Sequence, residues 1–226
     1  MTDPDYEALR TAFTASVSHE LRTPLARLQA LLESAELPGA DLRGLLRRAR
    51  DEVDEMTELV DDVLFLSELE QGREVVSLGE TDAAPVLRDL VSERSERAEL
   101  AGLRLELRIE DEEIRFPLRR RMLRLVAENL LENALRYAGE GATCVVTLAH
   151  EPGHVVLDVA DDGTGVPDAD VPRLFERFFR SDRARTTRGT GLGLAIVKHV
   201  VESAGGSVEA RGGQGRGLDV RCVLPV

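Results

Sequence analysis

The sequence predicts an α+β protein in which a helical hairpin is followed by an α/β sandwich. Through about the first 72 residues, apolar residues recur every three or four positions, which is typical of amphipathic helices. Beyond that point, segments of alternating polarity are interspersed with helical patterns, which indicates a mixed sheet covered by helices. We therefore predict two domains, residues 1–72 and 73–226.

The composition is that of a globular protein and argues against two kinds of partner. Of the 226 residues, 42% are hydrophobic, and the formal net charge of −13 repels the phosphate backbone of nucleic acids. No apolar run approaches the roughly 18–20 residues that span a bilayer, and the acidic N-terminal segment lacks a signal-peptide core. We expect a soluble, cytoplasmic chain without membrane contact of its own, which could be the cytoplasmic part of a longer, membrane-anchored protein. Cys144 and Cys222 lie in strand-like runs and are expected to be buried and reduced.

The first domain is predicted to be a hairpin of two long helices, residues 5–36 and 41–71, with a turn at Pro38 and Gly39 and with Gly72 at the end. A hairpin alone cannot bury its apolar side, so we predict a homodimer in which two hairpins form a four-helix bundle. The apolar stripes are Leu9, Phe13, Val17, Leu21, Leu25, Leu28 and Leu32 in the first helix, and Leu42, Leu45, Ala49, Val53, Met56, Val60 and Val63 in the second.

A histidine lies on the polar side of the first helix. At about 100° per residue, His19 falls almost opposite the apolar stripe, and Thr23 lies one turn further along the same exposed face. Glu20 lies between that face and the stripe, and Pro24 predicts a kink just beyond His19. A lone exposed histidine often has no function. Because position 23 is Thr, the H-E-x-x-H zinc motif is incomplete, and metal-dependent hydrolysis is rejected.

The elements of the second domain follow from their periodicity. Three helices are predicted at residues 82–100, 118–138 and 191–205, the first with Asp82 as N-cap. The predicted strands are residues 74–78, 103–109, 143–150, 154–161, 206–211 and 217–225, with a hairpin at 151–153 and a loop-rich stretch from 163 to 189.

The segment ENLLENALRY places Asn129 and Asn133 one turn apart on one helical face. Asparagine is a mediocre helix former, so two amides beside an apolar stripe indicate a polar ligand or a hydrated cation. An amide oxygen suits Mg²⁺. The alternative is that loop backbone satisfies both amides.

Two glycine-containing segments indicate a nucleotide. In DVADDGTGVP, a strand ends at Asp161, whose carboxylate could accept a hydrogen bond from an adenine amine. Gly163 and Gly165 permit close approach of the backbone to a ligand. The alternative is an ordinary acidic turn, which has the same pattern. In RGTGLGLAIV, glycines precede a helix, so free amides and the helix dipole can face phosphate. This second segment is neither a P-loop nor a Rossmann fingerprint, because position 194 is Leu.

The segment PRLFERFFRSDRARTTR lies between these two and concentrates arginines in an acidic protein. We interpret it as a lid over phosphate, with an ordinary solvated loop as the alternative. Its arginines are Arg177, Arg180, Arg183, Arg185 and Arg188, and its aromatic anchors are Phe175, Phe178 and Phe179.

Taken together, the segments resemble the catalytic core of a two-component sensor histidine kinase. SHELRTPL resembles the phosphoacceptor box, NLLENALRY the N box, DDGTGV the first glycine box, LFERFFR the F box and GTGLGLAIV the second glycine box. All five occur in the family's order. The resemblance implies a dimeric four-helix bundle followed by a Bergerat-type ATP-binding sandwich.

The resemblance also implies that His19 takes the γ-phosphoryl group of ATP and passes it to an aspartate on the receiver domain of a response regulator. Glu20 would orient the ring and take its proton, and Thr23 would orient a water that dephosphorylates the regulator. Asn133 would hold Mg²⁺. The expected nucleotide-binding residues are Asn129, Asn133, Arg136 (where the family more often has Lys), Tyr137, Asp161, Gly163, Gly165, Arg180, Gly189, Thr190, Gly191, Leu192, Gly193 and Leu194.

Two other functions are compatible with parts of this pattern. One is a nucleotide-binding dimeric scaffold or phosphatase without kinase activity. The other is a chaperone or repair-type ATPase with the same nucleotide fold, against which the helical hairpin and its His-Glu pair argue.

Overall fold

A computed structural model describes residues 4–70, 79–181 and 189–226, with the side chains of residues 4–16 and of Glu70 left out. The predicted strand at 74–78, Gly72, the side chains of Leu9 and Phe13, and Arg183, Arg185 and Arg188 therefore lie outside the described residues. The chain divides into two compact units, Met1–Ser67 and Glu68–Val226. Among the described residues, no helix has both the length and the hydropathy to cross a bilayer.

The first unit is the predicted helical hairpin. Helix α1 spans Pro4–Ala35 and α2 spans Leu42–Glu70, within one residue of the predicted bounds. The α1 helix continues through Pro24, and the kink expected there stays a prediction. The backbone N–H of Gly44 donates to Oδ1 of Asp41 at 3.1 Å, which satisfies one of the free amides at the start of α2.

The two helices bury one row of side chains and leave a second row open. Leu45, Leu59 and Leu66 of α2 are at most 7% exposed. Among the described side chains of the two helices, seven others that are large and apolar are 42–68% exposed: Leu25, Leu32, Leu42, Leu46, Val53, Val60 and Leu64. A single hairpin therefore leaves an apolar face in water, as its sequence predicts.

The second unit contains a five-stranded mixed sheet with three helices. The helices are α3 (Ala83–Leu100), α4 (Arg120–Tyr137) and α5 (Gly193–Ser203). The five strands are β2 (Arg104–Ile109), β4 (Thr143–Glu151), β5 (His154–Asp161), β6 (Ser207–Gly212) and β7 (Leu218–Pro225). Their order is β2-β4-β5-β7-β6, and the β2–β4 pair is parallel while the others are antiparallel. The predicted α+β sandwich is confirmed.

The core of this unit is aliphatic and lies between the helices and one face of the sheet. Alternate residues of β4 and β7 are buried, including Cys144 and Cys222, both of which are free thiols, as predicted. Burial raises the pKa of each thiol to about 12, so neither is a reactive thiolate at neutral pH. The opposite face is polar and carries Asp158 and Arg221, which are register partners on β5 and β7.

The N-cap of α3 is predicted correctly in position only. Asp82 stands at the N-cap but makes no side-chain capping bond. It also belongs to a two-residue strand, β1 (Thr81–Asp82), which pairs with β3 (Arg115–Phe116). The first amide of α3, that of Ala83, donates to the carbonyl oxygen of Ile114 at 3.1 Å. The carboxylate of Asp82 lies beside its register partner instead, with Oδ1 3.6 Å from Nε of Arg115.

Candidate functional site

The first unit presents His19 to solvent. Its side chain is 75% exposed, and Nδ1 lies 3.7 Å from Oε1 of Glu20, whose side chain is 34% exposed. This separation is too long for a hydrogen bond but requires only a small rotation to become one. Thr23 is exposed one turn further along. The imidazole is therefore accessible to a large partner, with a carboxylate beside one ring nitrogen.

In the second unit, α4 forms one wall of the predicted nucleotide site. It buries a broad apolar face that includes Leu130 and Leu131, and both asparagines are half-buried beside it. The amide nitrogen of Asn129 donates to the carbonyl oxygen of Leu125 at 2.9 Å, so the amide oxygen is directed elsewhere. A β-carbon built on Gly193 would lie 2.5 Å from that oxygen. The start of α5 and the first asparagine are thus in direct contact.

The second asparagine is available to a ligand. In the part of the chain that the structure describes, the side chain of Asn133 makes no hydrogen bond, although it is half-buried. A half-buried amide without a protein partner needs water or a ligand. Its oxygen is a hard donor of the kind that Mg²⁺ accepts while keeping several waters. The donor chemistry therefore fits the expected ion.

The glycine segment before α5 also reaches the end of α4. A β-carbon on Gly189 would lie 2.9 Å from the hydroxyl of Tyr137 and 3.2 Å from Nη1 of Arg136. Nε of Arg136 is 3.3 Å from Oε2 of Glu132, which tethers the guanidinium along the helix. Since Gly193 also contacts Asn129, the glycine segment before α5 contacts α4 at two places.

The amides at the start of α5 remain free of side-chain caps. Leu192 occupies the N-cap position without a side-chain capping bond, and its own N–H is accepted by Oγ1 of Thr190 at 3.2 Å. Leu192 as a whole is 0% exposed, so it supports this segment from inside and does not present a surface to a ligand. Leu194 is half-buried. Uncapped amides and the positive end of the helix dipole are suited to phosphate.

Asp161 ends β5, with its carboxylate held by a backbone donor. Gly163 donates its N–H to Oδ1 at 3.0 Å. Burial is the largest effect on this group and raises its pKa, while the neighbouring backbone amides of Gly163 and Leu218 act in the opposite direction. The result is a partly desolvated, oriented acceptor.

The two glycines after Asp161 approach the protein's own backbone. A β-carbon on Gly163 would lie 2.2 Å from the carbonyl oxygen of Ala138, just beyond α4, and one on Gly165 would lie 2.0 Å from that of Gly213. The hydroxyl of Thr164 donates to the carbonyl oxygen of Tyr137 at 3.0 Å. These contacts hold the loop that follows Asp161 against the C-terminal end of α4, the helix that carries Asn129 and Asn133.

The aromatic segment packs against the glycine segment before α5. The N–H of Phe178 donates to the carbonyl oxygen of Gly191 at 2.9 Å, and a β-carbon on Gly191 would lie 2.9 Å from Cα of Phe178. Phe178 itself has φ +61°, an uncommon conformation for a bulky residue. Arg180 follows and is half-buried. Arg177 precedes Phe178 and is also half-buried, whereas Arg183, Arg185 and Arg188 lie outside the described residues, so the lid stays a prediction.

Sequence reasoning missed the glycine-rich turn at residues 212–217. The N–H of Gly215 donates to the carbonyl oxygen of Thr164 at 2.8 Å, and that of Gly217 to Gly163 at 3.1 Å. The turn is therefore hydrogen-bonded to the loop that follows Asp161. The glycine-rich run GGQGRG indicates a turn in the sequence, but no feature near it in the sequence indicates which loop the turn contacts.

Comparison with known proteins relates both units to one family. Residues 9–72 match the His Kinase A (phospho-acceptor) domain, and residues 118–226 match the histidine kinase-, DNA gyrase B-, and HSP90-like ATPase domain. Sensor histidine kinase WalK of Bacillus subtilis is 31% identical over 96% of this chain and 36% of its own length. The chain spans 36–54% of the lengths of the first curated relatives it matches.

Solved structures agree with these matches. Histidine kinase AdeS of Acinetobacter baumannii superimposes with a TM-score of 0.75 at 25% identity, covering 92% of this chain and 97% of that one. Full-length ShkA in complex with AMPPNP gives a TM-score of 0.69 at 29% identity, covering 93% of this chain and 45% of that one. With the hairpin domain and the ATPase domain both matched in sequence and in fold, the chain belongs to the two-component sensor histidine kinases, of which it carries the catalytic core.

Proposed function

We propose that this chain phosphorylates itself on His19 from ATP and then passes the phosphoryl group to an aspartate of a response regulator. The observation that carries the proposal is the exposed imidazole beside Glu20 in one unit, together with the contacts in the other unit that bring the segments of Asn129, Asp161 and Gly189 together on α4. Membership of the sensor histidine kinases supports this assignment. The domain roles we assign are phosphoacceptor and dimerisation for 1–72, and ATP binding for 73–226.

Attack on phosphorus needs a neutral imidazole nitrogen with a free lone pair. Glu20 can accept a hydrogen bond from Nδ1–H, which fixes the tautomer and leaves Nε2 as the nucleophile. As the phosphorus–nitrogen bond forms at Nε2 and the bond to the leaving ADP oxygen breaks, the proton on Nδ1 becomes acidic and passes to the carboxylate. High exposure of the ring supports access by both the ATP-binding domain and a receiver domain.

In the second unit, we assign the Asp161 carboxylate to the exocyclic amine of adenine and the glycine segment from Gly189 to Leu194 to the phosphates. Arg136, Tyr137 and Arg180 would lie along the nucleotide, and the flanking Gly163 and Gly165 would shape its base pocket. Asn133 would hold Mg²⁺, with Asn129 nearby. When bound, that ion neutralises phosphate charge and helps align the transferred group.

We further propose that the hairpin pairs with a second copy through its open apolar face, and that the phosphorylated chain acts in the cytoplasm on a receiver domain. The seven large apolar side chains left 42–68% exposed support the first statement, because a four-helix bundle would bury them. Thr23, exposed one turn from His19, supports a further phosphatase activity toward the regulator.

Incubation of the full chain with γ-labelled ATP and Mg²⁺ tests the kinase proposal. We expect acid-labile, alkali-stable label on the protein that His19→Gln abolishes. His154→Gln is the matched control, because His154 is also exposed but lies in the other unit, on β5. Retention of label in His19→Gln would contradict the assignment of the acceptor. Nucleotide binding without any label would favour the scaffold or phosphatase alternative, and release of free phosphate alone would favour another type of ATPase.

A further inference from the structure

Gly217 lies directly against the backbone of Asp161. A β-carbon built on Gly217 would lie 1.8 Å from the carbonyl oxygen of Asp161 and 2.9 Å from Cα of Asp162. Its φ of +71° adds a conformational reason for glycine. No side chain fits here unless the start of β7 or the end of β5 moves. Gly217 therefore determines how closely these two strand ends approach.

That approach also positions the backbone donor to the Asp161 carboxylate. Gly217 donates its own N–H to the carbonyl oxygen of Gly163 at 3.1 Å, and Gly163 donates its N–H to Oδ1 of Asp161 at 3.0 Å. Leu218, which follows Gly217, is the register partner of Asp161. The residue that donates to the carboxylate is therefore itself bound to Gly217, and the remaining lone pairs of the carboxylate point away from this donor.

The turn is also attached at its tip. Nη2 of Arg216 lies 2.7 Å from Oδ1 of Asp168 and 3.3 Å from the carbonyl oxygen of Gly212. Asp168 follows the loop that contains Gly163 and Gly165. Both charged side chains are exposed, so this ion pair contributes little compared with the backbone contact.

We propose that Gly217 is a positioning residue for recognition of the purine 6-amino group, since its close approach to Asp161 and its hydrogen bond to Gly163 keep the Asp161 carboxylate in place. This inference rests on the proposed role of Asp161 in binding adenine. Hydrogen bonds weaken steeply as distance and angle depart from their optimum, so a small displacement of the carboxylate reduces base discrimination. Contacts to phosphate come from another segment, Gly189–Leu194, and are affected less.

The test measures the dissociation constants of ATP and of inosine 5′-triphosphate (ITP), which carries an oxygen in place of the 6-amino group, on the full chain. We expect Gly217→Ala to reduce the preference for ATP over ITP about tenfold. Gly215→Ala is the matched control: its φ is +72°, and nothing lies within 4 Å of its β-carbon. It bears the same backbone strain without the contact, and should keep the native preference. A native preference in folded Gly217→Ala would overturn the proposal.

Two further variants keep the result interpretable. If circular dichroism shows that Gly217→Ala does not fold, Gly217→Asn replaces it, with the same expected loss of about tenfold, because asparagine adopts positive φ more readily while still adding a β-carbon at the contact. A fully native preference in that variant would then count against the proposal. Asp161→Asn distinguishes the proposed role of Asp161 from that of Gly217. If Asp161→Asn keeps the native preference for ATP, Asp161 does not recognise the base. If Asp161→Asn loses that preference while Gly217→Ala keeps it, only the role of Gly217 is wrong.

Discussion

The carboxyl groups of Asp158 and Asp219 are neighbours on the polar face of the sheet, where Asp158 is the register partner of Arg221 and Asp219 that of Ala160, and they are close enough to interact through a shared proton. Each has an Oδ1 that is buried and, among the described residues, accepts no hydrogen bond from a protein donor. Two carboxylates cannot both be ionised in such a place without repulsion, so one proton is retained. Burial, followed by the hydrogen bond and the charge of Asp219, raises the pKa of Asp158 to about 7, although Arg221 and Arg211 act against this.

This pair predicts a pH-dependent stability. The folded chain holds a proton on Asp158 at pH values where the unfolded chain has released it, so the contribution of this group to stability falls as pH rises from about 4 to about 7. Asp158→Asn keeps the hydrogen bond to Asp219 but cannot ionise. We expect it to raise the free energy of unfolding at pH 8 by roughly 1 kcal/mol, a value reduced for solvent screening, and to have little effect at pH 4.

Urea unfolding between pH 4 and pH 8 checks this prediction. Glu140→Gln is a suitable control because its carboxyl is exposed, and its stability profile should follow that of the native chain. The same slope of stability against pH in the native chain and in Asp158→Asn would show that the pair does not retain a proton.

A second prediction concerns the apolar face of the hairpin. Leu46 and Val53, on α2, are 68% and 47% exposed in the single chain. If they form the dimer seam, Leu46→Glu combined with Val53→Glu would bury two charges in the bundle and shift the chain to a monomer. Sedimentation velocity at micromolar concentration measures this.

Leu100→Glu provides the control, because Leu100 is even more exposed, at 83%, but lies on α3 of the ATP-binding unit. This variant should remain dimeric. A native chain that sediments as a monomer, or a double variant that stays dimeric, would rule out the proposed seam.

A third prediction concerns Asn133. Because its amide is half-buried and free for a ligand in the described part of the chain, Asn133→Ala should reduce autophosphorylation about 100-fold and shift the Mg²⁺ requirement to higher concentration. Binding of ATP in the presence of EDTA should change much less, since the base and phosphate contacts come from other residues. An unchanged Mg²⁺ dependence would assign the ion to other ligands.

A fourth prediction separates the two activities on α1. Thr23→Ala removes the hydroxyl proposed to orient a water but leaves His19 and Glu20 in place. Dephosphorylation of a phosphorylated receiver domain should fall at least tenfold, and more steeply than autophosphorylation. Thr23→Ser, which retains the hydroxyl, should recover most of the dephosphorylation. Equal losses of both activities would point to a structural role for this residue.

Much of the fold could be predicted because its elements follow local rules. The bounds of α1 and α2 were predicted within one residue, and the β4–β5 hairpin follows from two alternating runs around a short turn. Asp82 stands at the N-cap of α3 without a capping bond, because strand pairing brings Arg115, distant in sequence, alongside its carboxylate. A cap depends on competition between partners, and the sequence shows only the local one.

The candidate site divides in the same way. The sequence alone determined the residue types of the site and their helical or turn context, because residue spacing sets which side chains share a face. Examples are His19 on the solvent-exposed face of α1 and the glycines before α5. Only the tertiary structure decided that Gly193 meets Asn129, that Gly217 meets Asp161, and that Asp158 meets Asp219. Such contacts depend on strand register and on backbone approach between segments far apart in the chain, for which local spacing carries no signal.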